Sequence, residues 1–409
     1  MADKPDSMPP DRFTLVDILR DAGKLTDPRV DEAFSTVSRH RFLPNVPLQR
    51  VYSDRSVPTR FDRQGRATVA TPMPSMIAEL LTQAQLREGQ NVMHIGTGTG
   101  YTAALIHAIV SDGGHVTSLE LEREVASEAE DKLVRSGAAS VKVVHRDGAD
   151  GYAPRAAYDR IIANVGMWDI PDEWVTQLKP GGLITVPIFL DGLQVSGAFR
   201  LQPDGSLLAE SVTPSAFIYI RGRLAMPPVR LRISSTSLTL IADDVDRLDS
   251  AALHLLLSQD HDSSNRLMAS LNKNDYWNGF LPYLVVNEPE EHVFAVYTIE
   301  EGQTAYGMAG EGFAVFTPAS AVFVPYDAAG QTESFAGADA FMELEGRLQA
   351  WEAAGRPGIE RLRIRLIPRS HGVPTDVSGK LYPRANHYLH MWMDLPEKVS
   401  GAADALNPY

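Results

Sequence analysis

Residues 93–101 read MHIGTGTGY and residues 116–120 read VTSLE. An apolar run followed by alternating glycines, Gly96, Gly98 and Gly100, predicts a strand that turns into a helix with its backbone open to a ligand. Glu120 ends the next apolar run, at the spacing expected of a carboxylate that accepts from a ribose diol. Nicotinamide dinucleotides and S-adenosylmethionine both carry that diol, so this much leaves both open. The third glycine comes one residue early for the dinucleotide fingerprint, with Tyr101 in its place, and no lysine follows the loop as a P-loop requires.

Outward from this unit, short apolar runs alternate with helical patterns. NVMHI, GHVTSLEL, SVKVVHRD, YDRIIANV and GGLITVPIFL read as strands, and YTAALIHAIV, REVASEAEDKLVRSG and IPDEWVTQL as helices. The expectation is an α/β fold, a parallel sheet covered on both faces, with LQVSGAFRLQ and SAFIYIRG added as antiparallel edge strands. Ligands bind at the C-terminal ends of such strands. Asp147 sits there after the third strand, where it can accept from an adenine amino group, and Asn164, Val165 and Gly166 after the fourth. Asp159 is at the opposite end and reads as structural.

Upstream, PRVDEAFSTVSRHRF has helical spacing and stops at the prolines that follow. SDRSVPTRFDRQGRATVATPMPS is polar and turn-rich and is expected to cross the surface. A helix resumes at SMIAELLTQAQL with Ser75 as its cap. Composition shifts near residue 225. LPYLVVN, HVFAVYTIE, GEGFAVFTPA and SAVFVPYD read as short strands, ADAFMELEGRLQAWEAAG as a helix, and IERLRIRLIPR and ANHYLHMWMDL as closing strands. Two domains are expected: 1–225, catalytic with a helical substrate-side segment, and 226–409, an α+β accessory domain for peptide recognition.

The chain has 409 residues and a formal net charge of −14, which argues against nonspecific binding to nucleic acid or an anionic membrane. It contains no cysteine, so thiolate catalysis and cysteine-ligated metals are excluded. No run approaches the ~20 apolar residues of a membrane span. A cytoplasmic monomer is expected. His387 and His390 lie three apart, on opposite faces of a strand, so no metal is assigned.

VDEAFSTVSRHRFLP, YSD at 52–54, NVMHIGTGTGYTAALI, VTSLE, RDGADGY, YDRIIANVG and LKPGGLITVPI together resemble, in order and spacing, the protein-L-isoaspartate O-methyltransferases. The resemblance implies a Rossmann-like methyltransferase fold, S-adenosylmethionine as cofactor and an aspartyl-type carboxylate as acceptor. It places Gly96 and Gly98 under the methionine and ribose portions, Glu120 on the ribose, and Asp147 with Gly148 beside the adenine. His94, Thr97, Thr99, Tyr101, Leu121 and Asn164 complete the implied cofactor set. The chain departs from the pattern at His94, where the family has an acidic residue. In the substrate loop, Pro72 or Ala70 stands where the family has serine, leaving Thr71 or Ser75 to replace it.

The length of the chain, with VGMWDIP and FIYIRG, is more similar to long actinobacterial relatives encoded with ribosomal peptide products (lanthipeptides, lasso peptides, graspetides). That likeness implies methylation of an ordinary aspartate in a cyclised or otherwise modified precursor peptide. The ester would then collapse to a succinimide and, on hydrolysis, isoaspartate. The alternatives are isoaspartate repair and a non-catalytic peptide-binding scaffold. A carboxylate is ionised at neutral pH, so its methylation needs placement rather than a base. Thr68, Thr71 and Ser75 are the candidates to position it. His40, Arg41, Pro72, Val165, Gly166 and Trp168 are candidates for the acceptor cleft, and Arg361, Arg363 and Arg365, on one face of a strand pattern, for a basic peptide groove.

Overall fold

In the computed structural model, which describes residues 10–395 except 64, 228, 234, 235, 244, 290 and 376, the chain begins with helices α1 (Arg12–Asp21) and α2 (Pro28–Thr36). Asp11 and Thr14 close a capping box on α1, and Asp27 with Pro28 starts α2. A 3₁₀ turn, Arg39–Phe42, and the short α3 (Leu48–Val51) follow. The polar stretch after them does not merely cross the surface. Its β-branched residues pair as an antiparallel hairpin, β1 (Val57–Phe61) with β2 (Ala67–Thr71). Helix α4 (Pro74–Gln83) starts without a side-chain cap of its own. Pro74 already occupies the first turn, so Ser75 lies inside the helix, and the Asp54 carboxylate accepts from its backbone N–H at 2.9 Å.

The main sheet comprises β3 (Asn91–Ile95), β4 (His115–Glu120), β5 (Lys142–His145), β6 (Tyr158–Ala163), β7 (Leu178–Leu190), β8 (Leu193–Leu201) and β9 (Leu207–Pro214). Strands β5, β4, β3, β6 and β7 pair in parallel, and β8 and β9 continue antiparallel. Helices α5 (Tyr101–Val110), α6 (Arg123–Arg135) and α7 (Asp172–Gln177) connect the parallel strands. The expected edge strand SAFIYIRG is absent. That segment makes a single bridge, Tyr219 to Gly166, because Gly166 alone offers it both backbone bonds, to Ile218 and Ile220.

A second, seven-stranded sheet contains β10 (Arg230–Arg232), β11 (Leu238–Ile241), β12 (His261–Asp262), β13 (Val293–Ile299), β14 (Glu311–Phe316), β15 (Ala321–Pro325) and β16 (Glu333–Phe335). It packs with α8 (Ser250–Leu257), α9 (Lys273–Asp275), α10 (Leu281–Asn287) and α11 (Asp339–Ala353). LPYLVVN is thus helix α10, not a strand. Residues Leu281–Val286 are all buried, so their pattern carries no period, and a π turn at Tyr276–Phe280 runs directly into them.

The boundary at 225/226 does not separate two packing units. Strands β17 (Leu362–Pro368), β18 (Lys380–Pro383) and β19 (His387–Met393) return to the main sheet and extend it past β9 in the order β9-β17-β19-β18. Their alternating Leu362, Ile364, Leu366, Leu389 and Met391 fill one continuous core with β6–β8, β13–β15, α10 and α11. A second core holds α1, α2, α4 and α5 on the opposite face of the parallel strands.

Candidate active site

The loop after β3 needs its glycines. Gly96, Gly98 and Gly100 have φ of +83°, +53° and +92°, and a Cβ at Gly96 would stand 3.1 Å from Val165 Cγ1. Glu120, at the end of β4, holds this loop: its Oε2 accepts from Gly98 N at 2.9 Å and its Oε1 from Glu122 N at 3.2 Å. Beneath the loop, Ser118 Oγ lies 2.6 Å from Thr97 Oγ1 and 2.8 Å from His94 Nδ1. His94 is fully buried, and burial pushes its pKa down to about 4, against the opposing effect of Asn164. It is a neutral brace between β3 and β4, outside the pocket lining, so the implied direct contact with cofactor is not what the geometry gives. Asn164 Nδ2 donates to Thr102 Oγ1 at 2.7 Å, while its buried Oδ1 has no partner among the described residues.

These groups line a pocket at the C-terminal ends of the parallel strands. Its lining contains Thr68, Thr71, Pro72, Gly96, Thr97, Gly98, Thr99, Glu120, Leu121, Gly148, Asn164 and Val165 from the sequence-derived set. The hairpin covers the loop, with Ala70 O 3.8 Å from where a Gly98 Cβ would be. Arg60 ties it to α6 through Glu128 at 2.7 Å. Thr71 is buried, and its Oγ1 lies 2.9 Å from Thr99 Oγ1, so a hydroxyl pair in the pocket lining joins the hairpin to the loop.

Other expected residues lie elsewhere. Ser75 is outside the lining. The Tyr101 ring is core, edge-on to Phe34. Asp147 Oδ1 accepts from Ala149 N at 2.9 Å and Oδ2 from Arg223 N at 2.8 Å. The carboxylate thereby fastens the 221–223 segment instead of lining the pocket, and Gly148 lines it in its place. His40 and Arg41 are exposed, with His40 Nδ1 2.6 Å from Tyr52 Oη. Gly166 acts through its backbone bridge, and Trp168 faces a different cavity, its ring stacked on Phe189. Arg361 precedes β17 in a 3₁₀ turn, Arg363 pairs with Asp394 at 2.9 Å and Arg365 with Asp204. The expected basic stripe is therefore broken, because neighbouring carboxylates occupy two of its three guanidinium groups.

The sequence reading missed two features. Ile218, Tyr219, Ile220 and Arg221 close one side of the pocket, and burial raises the Tyr219 hydroxyl above its ordinary pKa. Arg39 is wholly buried, and its guanidinium donates to the carbonyls of Val51 (2.8 Å), Ser53 (3.3 Å), Arg55 (3.2 Å) and Pro72 (3.0 Å). Phe42 was the available signal. In a 3₁₀ turn residues three apart share a side, so the buried Phe42 takes Arg39 inward and leaves His40 and Arg41 outside.

The donors fit an adenosyl sulfonium cofactor. Backbone exposed by left-handed glycines, a carboxylate at the second strand end and the Asn164 amide surround a lining of otherwise small and aliphatic groups. The family model matching residues 11–225 is described as protein-L-isoaspartate(D-aspartate) O-methyltransferase (PCMT). A protein-L-isoaspartate O-methyltransferase of Methanopyrus kandleri is 34% identical over 212 residues, 52% of this chain and 91% of that protein. One from Ignicoccus hospitalis is 32% identical over 197 residues, 48% of this chain and 90% of its own. A solved structure of a protein-L-isoaspartate O-methyltransferase shares the fold with a TM-score of 0.51 at 22% identity, across 94% of this chain and 100% of that one.

Proposed function

For this chain, which belongs to the protein-L-isoaspartate(D-aspartate) O-methyltransferase family, we propose that the methyl acceptor is the free carboxylate of an isoaspartyl residue in a polypeptide, the α-carboxylate left over when the main chain runs through the β-carbonyl. The chain is an S-adenosylmethionine-dependent carboxyl O-methyltransferase of Rossmann-like fold. One observation carries the choice of a carboxylate as acceptor: the titratable groups in the pocket lining are Glu120, Tyr219 and Arg221, and none is a competent base; the choice of isoaspartyl follows the family. Glu120 is held by two backbone N–H groups, Tyr219 is raised by burial, and Arg221 is paired with Glu122. Such a lining suits an acceptor that is already ionised, and a carboxylate is.

Gly96, Gly98, Glu120 and Asn164 would hold the cofactor, which when bound supplies an electrophilic methyl group on a sulfonium. The chain's own part is placement. The Thr71–Thr99 hydroxyl pair donates to the incoming carboxylate, and the hairpin keeps the pocket partly dry. Proximity and orientation are worth up to ~7–11 kcal/mol at the extreme. A carboxylate held in line with that methyl group would accept it without giving up a proton, which is why placement is all that the chain's own residues have to supply.

The second reading, an ordinary aspartate in a constrained peptide that goes on to a succinimide, is favoured by the substrate loop. Pro72 or Ala70 stands where the family serine is expected, and Thr71 supplies the hydroxyl from the neighbouring position. The C-terminal extension does not favour it, since the shared fold with a solved isoaspartate methyltransferase runs over 94% of this chain. The test offers isoaspartyl and aspartyl versions of one peptide, linear and cyclised, with S-adenosylmethionine, and follows mass. Methylation of the isoaspartyl form alone is expected. Methylation of the aspartyl form followed by loss of methanol would replace this reading with the second. Thr71→Val should lower kcat/KM by roughly 10- to 100-fold with cofactor affinity unchanged, and Ser75→Ala should change neither.

A further inference from the structure

A second cavity, of about 930 Å³, opens between the edge of the main sheet and the end of α10. Its walls bring together Asp191, from the β7–β8 turn, Asp243, after β11, and Glu288, which follows α10. Asp191 Oδ2 accepts from Tyr382 Oη at 2.9 Å and lies 3.9 Å from Lys380 Nζ, and its Oδ1 accepts from Asp243 N at 3.3 Å. Asp243 Oδ1 accepts from Arg384 at 2.7 Å. Glu288 Oε1 meets His292 Nδ1 at 3.0 Å. The Glu288 side chain is 2% exposed, yet its Oε2 has no partner among the described residues. A carboxylate at the end of a helix also opposes the helix dipole. Burial, with Asp243 adding to it, pushes Asp191 up to about 6. Asp243 already has Arg384, and Asp191 has Tyr382 with Lys380 nearby, whereas the unpartnered oxygen of Glu288 is costly where it stands unless a donor comes to it.

The described residues contain no group of three or more histidine, aspartate and glutamate side chains arranged to hold a metal ion. An unpartnered carboxylate oxygen in a wall that also carries Asp191 suits an organic cation that donates hydrogen bonds. One wall, Lys380–Pro383, is β18, the terminal strand of the main sheet, which among the described residues pairs with β19 alone. Its outer edge presents main-chain groups to an extended peptide, which favours a polypeptide over a small free amine.

We propose that this cavity binds the ammonium or guanidinium of a lysine or arginine in the polypeptide substrate, through Glu288 Oε2 and Asp191. The proposal rests on the substrate's being a polypeptide, and its test is read as binding, so it stands or falls apart from the identity of the methyl acceptor. Full-length protein with S-adenosylhomocysteine is titrated into a fluorescein-labelled peptide with two lysines and into its norleucine counterpart, and anisotropy is measured. The lysine peptide is expected to bind at least about tenfold tighter, the scale of one charged hydrogen bond. Glu288→Gln should erase that advantage. Lys380→Gln, which removes a competing cation, should enlarge it, a direction that misfolding cannot imitate. Equal affinities, an advantage that survives Glu288→Gln, or displacement by spermidine as tight as the peptide itself would overturn the proposal. Tight lysine-dependent binding of an isoaspartyl version of that peptide, with no methylation once S-adenosylmethionine replaces S-adenosylhomocysteine, would leave it intact and remove the acceptor assignment instead.

Discussion

Replacing Arg39 should damage the fold and the reaction together while sparing cofactor binding. Its guanidinium stays protonated at neutral pH although burial lowers its pKa, and it holds four carbonyls of two separate segments. The bonds to Val51 and Pro72, at 2.8 and 3.0 Å, are full charge-assisted hydrogen bonds, worth about 1.5–3 kcal/mol each. The contacts to Ser53 and Arg55, at 3.3 and 3.2 Å, are weaker. Arg39→Met spares the cost of burying the cation but strands the carbonyls, so the net loss is about 3–5 kcal/mol. At roughly 2.1 cal/mol/K of unfolding entropy per residue, a 409-residue chain loses about 3–6 °C in Tm if it unfolds as one unit. Pro72 is released next to Thr71, and kcat/KM should fall roughly 10- to 100-fold. S-adenosylhomocysteine affinity should hold, because none of these Arg39 hydrogen bonds goes to the glycine loop, whose neighbour Tyr101 it meets only over the ring face at 5.9 Å. Arg39→Lys should recover less than half of the stability, since a point donor cannot span four acceptors. Calorimetry and initial rates on the same preparations decide the matter. A Met variant with unchanged Tm and rate would refute the clamp.

Glu120→Ala should weaken S-adenosylhomocysteine binding by about 2 kcal/mol in calorimetric titration, because Gly98 N and Glu122 N lose their acceptor together with the ribose. His94 and Asp191 should give opposite pH dependences of stability. An unfolded chain protonates His94 near the ordinary 6.5 but the fold resists until about 4, so the stability gained from keeping it neutral is present above 6.5 and is lost, by roughly 3 kcal/mol, as pH falls. Asp191 keeps its proton up to about 6 in the fold against 3.8 when unfolded, so the stability gained from its protonated form is present below 3.8 and is lost, by a similar roughly 3 kcal/mol, as pH rises. Relative to the parent, His94→Gln should gain stability from pH 6.5 to 4.5 and Asp191→Asn from 4.5 to 6.5 in urea unfolding, and flat differences would refute both. Truncation after residue 225 should abolish cooperative unfolding, since it strips β17 from β9 and opens the shared core; a stable, cooperative fragment would contradict that.

The cofactor half of the site was legible because it is local. Loop glycines, strand ends and the turn at Gly148 lie within a repeating strand–helix unit, where spacing along the chain fixes position in space. The acceptor half was less so. Thr68, Thr71 and Pro72 were named, but whether Thr71 or Ser75 faced the pocket depended on the hairpin and on Asp54 reaching α4 from outside the helix. Residues 218–221 and Arg39 escaped for the same reason: each reaches the pocket through contacts with segments distant in sequence.

What the sequence determined by itself was the doubly covered parallel sheet, the glycine loop with Glu120 as its acidic partner, and the family those motifs resemble. All of these rest on short-range periodicity and backbone chemistry. Tertiary structure alone decided that β17–β19 belong to the first sheet, that the stripe of arginines is broken by Asp394 and Asp204, and that LPYLVVN is a helix. Period-two alternation states that one face of β17 is buried but not against what. An apolar run buried all round has no period to read, and a charged side chain carries no mark of its partner until the chain has folded.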